Sequence, residues 1–156
     1  VLLMYMSGPI NKLDDTSNLY NKAGVMPYAR IFASDRLTQG VDVEVVWQGD
    51  SNAFAGVYLM VDETTGEIVK IGETRNIYSR FNTQYKCIRN STNDRIREYV
   101  REIGNVKIYA VEAPTMNIDY FGHKIKLTCC RAIERIMLSD YIASHGEYPV
   151  LNKYNR

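Results

Sequence analysis

Residues 56–80, GVYLMVDETTGEIVKIGETRNIYSR, decide how the chain is read. Val57 to Val61 is an apolar run, β-branched and aromatic enough for a buried strand. Asp62 to Gly66 follows as a polar turn, with glycine where a positive φ is needed. Ile68, Val69 and Ile71 make a second apolar run, interrupted by Lys70 and closed by Gly72. Two short strands around such a turn predict a hairpin. Thr74 or Asn76 then caps a helix over 76–88, whose apolar residues Ile77, Phe81, Tyr85 and Ile88 recur at three- and four-residue spacing.

The tripeptide Gly56-Val57-Tyr58, eleven residues, the tripeptide Lys70-Ile71-Gly72, then Thr74, Asn76, Ile77 and Arg80 resemble the signature of the GIY-YIG nuclease superfamily. In that family the tripeptides lie on neighbouring strands and an arginine sits on the helix beyond them. The second tripeptide here begins with Lys70 in place of tyrosine, as in some restriction enzymes of the family. Many members carry a histidine four residues after the arginine; here that position is Gln84, followed by Tyr85, so no histidine role transfers.

A chain of 156 residues is most simply one domain able to bury a core. No apolar run approaches a membrane span, and the opening VLLMYM lacks the basic flank and cleavage site of a secretory signal. Cys87, Cys129 and Cys130 have neither metal-ligand spacing nor an even disulfide count, which fits a reducing, cytoplasmic setting. The net charge of +1 hides a gradient. Residues 1–69 hold four basic and nine acidic side chains, residues 70–107 nine and four, and residues 108–156 six and five. A basic middle third suits a polyanionic partner. A solvated helix face would explain the charge alone; its coincidence with the motif favours nucleic acid.

Residues 1–50 are weakly organised and form an N-terminal extension to a 51–156 domain. Val41, Val43, Val45 and Trp47 alternate with polar residues, predicting a strand over 41–47. The extension is most simply an added strand; a recognition arm or a dimer contact are the other options. After the motif helix, Asn93 or Asp94 starts a second helix through Ile103, with Ile96, Tyr99, Val100 and Ile103 on its apolar face. Arg75, Lys86, Arg89, Arg95, Arg97 and Arg101 furnish a basic surface beside the motif, assigned to the nucleic-acid backbone. Val106 to Val111 is a third strand, 115–123 an irregular link, and 127–143 a long helix. His123 and His145 fall in loop-like stretches and are read as incidental.

Glu134 lies next to the apolar face of that last helix, where carboxylates are uncommon unless paired or holding a metal. The resemblance implies that Glu134 is the metal-binding glutamate, because Pro149 and Asn152 follow in the family's order. An exposed pairing with Arg131 or Arg135 is the plainer alternative. The resemblance further implies Tyr58 as the base that activates water, with Lys70 favouring its phenolate or orienting the water. Arg80 would brace the scissile phosphate, and Asn152 would anchor the chain end or hydrogen-bond to the tyrosine. Mg2+ or Mn2+ on Glu134 would act as a Lewis acid.

The expectation is therefore an α+β domain with a small, mainly antiparallel three-stranded sheet flanked by helices. Its expected function is metal-dependent endonucleolytic cleavage of double-stranded DNA, of restriction type, by a homodimer or higher oligomer. The alternatives are a non-catalytic nucleic-acid-binding module of the same fold, or a repair or toxin nuclease acting on DNA or RNA.

Overall fold

The computed structural model describes residues 25–33, 40–49, 51, 53–84 and 91–152. Its main sheet has five strands: β1 (Met26–Ala33), β2 (Val41–Val45), β3 (Gly56–Asp62), β4 (Ile68–Thr74) and β5 (Val106–Glu112). They lie in the order β2-β1-β5-β3-β4, and every neighbouring pair is antiparallel. Three helices complete this unit: α1 (Ile77–Ser79), which runs on into a π-helical turn over Arg80–Gln84, α2 (Ser91–Glu102) and α3 (Cys130–His145). A 3-10 turn, Val150–Asn152, ends the described chain. Between β5 and α3 stands a separate two-stranded hairpin of β6 (Thr115–Tyr120) and β7 (His123–Thr128).

The continuous apolar run of β3 is explained by its place inside the sheet, with β5 on one side and β4 on the other. Alternate residues serve two separate cores. Tyr58 and Met60 join Ile77, Phe81, Ile96, Val100 and Ile108 on the face covered by α1 and α2. Val57, Leu59 and Val61 join Ile71, Val111, Ile133 and Met137 on the face covered by α3. A strand buried on both faces cannot alternate with polar residues, and β3 does not.

The antiparallel α+β class is as expected, but the sheet has five strands where three were anticipated. Residues 26–45 are the reason: β1 pairs with β5 and β2 with β1, so this part of the extension enlarges the sheet. Tyr28 and Ile31 of β1 are wholly buried. In the sequence, Pro27 and the uneven pattern of MPYARIFA hide the strand; the proline falls at a register shift, where a missing N–H is tolerated. Residues 115–123 are a correction of a second kind. They begin a regular hairpin, and the last helix starts at Cys130, three residues after Leu127. His123 accordingly sits in a strand, and His145 closes α3 with its ring stacked on Tyr141 at 3.9 Å. Tyr85, Lys86, Ile88 and Arg89 lie outside the described residues.

Candidate active site

The two glycines of the motif are explained by close approach. A Cβ on Gly56 would lie 2.3 Å from the Val111 carbonyl oxygen of the neighbouring strand. On Gly72 it would lie 2.4 Å from both Cζ and the hydroxyl oxygen of Tyr58. Tyr58 and Gly72 are direct cross-strand partners, as are Met60 and Lys70. The tyrosine ring therefore lies over Gly72, and its hydroxyl reaches β4 beside the residues that flank that glycine. Phe81 meets the same ring edge-on, with centroids 5.0 Å apart. Tyr58 is 1% exposed, held between strand and helix.

Helix α1 is set at its start by local hydrogen bonds. The Asn76 side chain accepts from the Ser79 N–H at 3.0 Å, and the Asn76 N–H donates to the Thr74 hydroxyl at 3.2 Å. This start orients Ile77 and Phe81 into the core and leaves Arg80, half-buried, at the opening of the π turn. Its guanidinium is felt at Lys70, whose side chain is buried in β4 at 3% exposure. Burial, then the positive charges of Arg80 and Arg95, push the Lys70 ammonium down to about 8, with Glu134 pulling the other way.

Strand β4 is the outer strand of the sheet, so alternate N–H and C=O groups along it face outward. The last quarter of the chain supplies their partners. The Ile71 N–H donates to Asn152 Oδ1 at 2.8 Å, while Asn152 Nδ2 donates to the Ile71 carbonyl at 2.8 Å. This pair of bonds imitates the next strand of a sheet. One step along, the Glu73 N–H faces the same edge and lowers the proton affinity of the Glu134 carboxylate. Glu134, half-buried on α3, thus lies against the edge of β4 within electrostatic reach of Lys70. Desolvation, then the Glu73 carboxylate, raise its affinity for a proton, opposed by Lys70, the Glu73 N–H and Arg131.

Lys70 on β4 is therefore within electrostatic reach of Arg80, on the helix that follows, and of Glu134 on α3. Tyr58 lies behind them over Gly72, and Asn152 is tied to the Ile71 backbone, not to the tyrosine. Two residues beyond the sequence reading belong to the same neighbourhood. Glu73 lies beside Glu134 and accepts from the Cys130 thiol at 3.4 Å. Its place directly after Gly72, as the one acidic residue of the strand, was the available signal. Arg95 does not stand out on a free helix face. Its guanidinium donates to the Val150 and Leu151 carbonyls at 3.2 and 3.4 Å, beside Asn152, and its charge acts on Lys70. Of the remaining basic residues, Arg97 pairs with Asp94, Arg75 and Arg101 are exposed, and Lys86 and Arg89 are outside the described residues.

Glu134 with Glu73 presents hard carboxylate oxygens whose mutual repulsion a cation would relieve. Magnesium commonly takes only one or two protein carboxylates, completing its shell with waters and substrate phosphates. That donor set fits these two residues, and no larger His, Cys, Asp and Glu cluster exists among the described residues.

This architecture has known counterparts. EndoII of bacteriophage T4, solved as a point mutant, superimposes with a TM-score of 0.60 at 15% identity, over 79% of this chain and 92% of that one. The restriction endonuclease Hpy188I, solved in complex with product DNA, superimposes with a TM-score of 0.53 at 16% identity, over 91% of each chain. The fold is one that solved endonucleases share. No family model and no curated protein sequence matches the chain.

Proposed function

We propose that this protein is a metal-dependent DNA endonuclease of the GIY-YIG kind, working at the edge of β4. The observation that carries the reading is the electrostatic grouping of Arg80 and Glu134 about the buried Lys70, on a fold shared with two endonucleases. Double-stranded DNA is the proposed substrate, and a restriction-type double-strand cut is the proposed outcome.

Phosphodiester hydrolysis needs a bound phosphate, an activated water and help for the leaving oxygen. Arg80 can hold two phosphoryl oxygens with a planar fork, which lysine would not reproduce. The positive charge of Lys70 and Arg95 adds to the attraction and grows in value as negative charge develops. Lys70, at about 8, exchanges its proton close to neutral pH and can orient or deprotonate a water. The Tyr58 hydroxyl, over Gly72 on the strand that carries Lys70, would serve as the proton carrier in this reading. Glu134, with Glu73 beside it, would hold Mg2+ or Mn2+, which supplies Lewis-acid charge stabilisation. Asn152 is a positioning residue: it holds the Ile71 peptide, and so the strand that carries Lys70.

A second reading has one observation in its favour. Tyr58 is so enclosed that direct contact with substrate requires the helix to give way, as befits a binding module that keeps the fold. One experiment separates the two. Plasmid DNA is incubated with the wild-type protein, Glu134→Ala and Tyr58→Phe, with magnesium and with chelator. The nuclease reading expects discrete fragments from the wild type that chelation abolishes, and loss of at least ~100-fold in rate for both variants. Smearing would indicate a nonspecific repair or toxin activity. DNA and RNA both surviving, with salt-sensitive DNA binding intact, would establish the binding module instead.

A further inference from the structure

The arm formed by β6 and β7 is rooted beside the candidate site. β5 ends at Glu112, which pairs with Gly56, and Gly56 pairs in turn with Thr74 of β4. The arm therefore leaves the sheet at the end where β4 carries Glu73. It returns at Cys129, whose N–H donates to the Pro114 carbonyl at 3.0 Å, and the thiol of the next residue, Cys130, donates to Glu73. Strands of six residues give the arm a reach of about 20 Å from that root.

Its two faces differ. Met116 pairs with Leu127 and Ile118 with Ile125, apolar cross-strand pairs that hold the ribbon together. Asn117 pairs with Lys126 and Asp119 with Lys124 on the opposite face, because side chains alternate along a strand. A depression of about 380 Å³, lined by residues 117–119 and 124–126, lies on this polar face; it takes in all four of these polar residues and neither Met116 nor Leu127. Among the described residues, neither Lys124 nor Lys126 is in an ion pair. They stand two strand positions apart, about 7 Å, which is close to the spacing of successive phosphates along a nucleic-acid strand. Arg131, exposed at the start of α3, acts on Glu134, so positive charge continues from the arm towards the candidate site. At the tip, Phe121 and Gly122 have positive φ, 50° and 77°, the geometry of a two-residue hairpin turn. Phe121 bears the cost of a conformation that glycine adopts freely, and its ring is 85% exposed.

We propose that this arm grips duplex DNA alongside the candidate site: Lys124 and Lys126 bind successive phosphates of one strand, and Phe121 reaches past them to stack on the bases. A hollow face bearing two ammonium groups is complementary to a convex anionic backbone, and neutralising phosphates releases their counterions. Lys126 lies opposite the neutral Asn117; Lys124 lies opposite Asp119, which offsets part of its charge. An exposed apolar ring at the end of a ribbon is the kind of group that enters a groove and wedges against a base step. Two arginines of α2 are engaged within the protein, Arg95 with the carbonyls of residues 150 and 151 and Arg97 with Asp94, whereas both arm lysines are open to a phosphate. The proposal rests on DNA as the substrate, but not on cleavage.

Fluorescence anisotropy of a labelled duplex of about 30 base pairs tests it, in chelator so that no strand is cut, from about 50 to 200 mM salt. Lys124→Gln with Lys126→Gln should lower the slope of log affinity against log salt by about 1 to 2 and weaken binding at least ~10-fold near ~0.1 M salt. Asp119→Asn, which removes a carboxylate from the same face, should tighten binding by about threefold. Phe121→Gly relieves the positive φ and keeps the fold, checked by circular dichroism, yet should weaken binding roughly 5- to 50-fold with the slope unchanged. Lys107→Gln, at the other end of β5, is the charge control and should match the wild type in both quantities. A wild type that binds while the lysine variant keeps its slope, or while Phe121→Gly keeps its affinity, overturns the proposal and leaves the nuclease reading standing. A wild type that binds no duplex overturns the arm and the DNA substrate together. The expected losses in a protein that never cuts DNA with magnesium would support the arm and remove the nuclease.

Discussion

Lys70 carries the strongest tension in the molecule. Its ammonium is buried in a strand and repelled by two guanidinium groups, with one carboxylate in partial compensation. Holding its pKa near 8, against the usual 10.5, costs the folded state about 3 kcal/mol at neutral pH. The unfolded chain binds the extra proton between those two values, so wild-type stability rises as pH climbs through 8 towards 10.5. Lys70→Met should therefore be the more stable protein at pH 7, by roughly 1–3 kcal/mol, and should lose cleavage. The stability difference should shrink as pH rises to 10, read by urea denaturation at both pH values. A variant less stable than wild type at pH 7 would mean that the electrostatic attraction of Glu134 outweighs the burial. The residue itself was legible in the sequence as a lysine interrupting an apolar strand. The second guanidinium was not, because Arg95 lies 25 residues away on another helix.

Strand β4 shows how an element recruits its site. An outer strand with free N–H and C=O groups invites pairing, and here two side chains from the end of the chain occupy it. Asn152→Ala should leave the buried Ile71 peptide without either partner. A loss of about 2 kcal/mol follows, or roughly 4–8 °C in melting temperature, with a larger fall in kcat than in KM. Asn152→Asp, which keeps the acceptor and loses the donor, should fall between. Equal melting temperatures for the wild type and the alanine variant would show that water satisfies the strand edge as well as asparagine does. Periodicity placed helix α3, and the family resemblance named Glu134 and Asn152 as candidates, but the partners of Asn152 are backbone groups. Backbone groups carry no residue identity, so no sequence pattern announces the contact.

Across the whole molecule the sheet and its two cores form one unit. β1 fills the place between β5 and β2, and Tyr28, Ala29 and Ile31 belong to the same core as Tyr58 and Phe81. A fragment beginning at residue 51 would expose the edge of β5 and lose those three core side chains. It should fail to fold cooperatively, seen as the absence of a sigmoidal melt by circular dichroism; a two-state transition would show the extension to be dispensable.

Local chemistry alone determined the hairpin of β3 and β4, the helix start at Asn76 and the amphipathic helices α2 and α3. Each depends on residues close in the chain: turn residues, caps and apolar spacing. Tertiary structure alone decided that β1 joins the sheet, that Arg95 grips the carbonyls of residues 150 and 151, and that Glu73 stands beside Glu134. Those contacts join residues that are distant in sequence or lie across element boundaries. They follow from which strand edge is left open and which helix face is near it, and only the folded chain sets those two things.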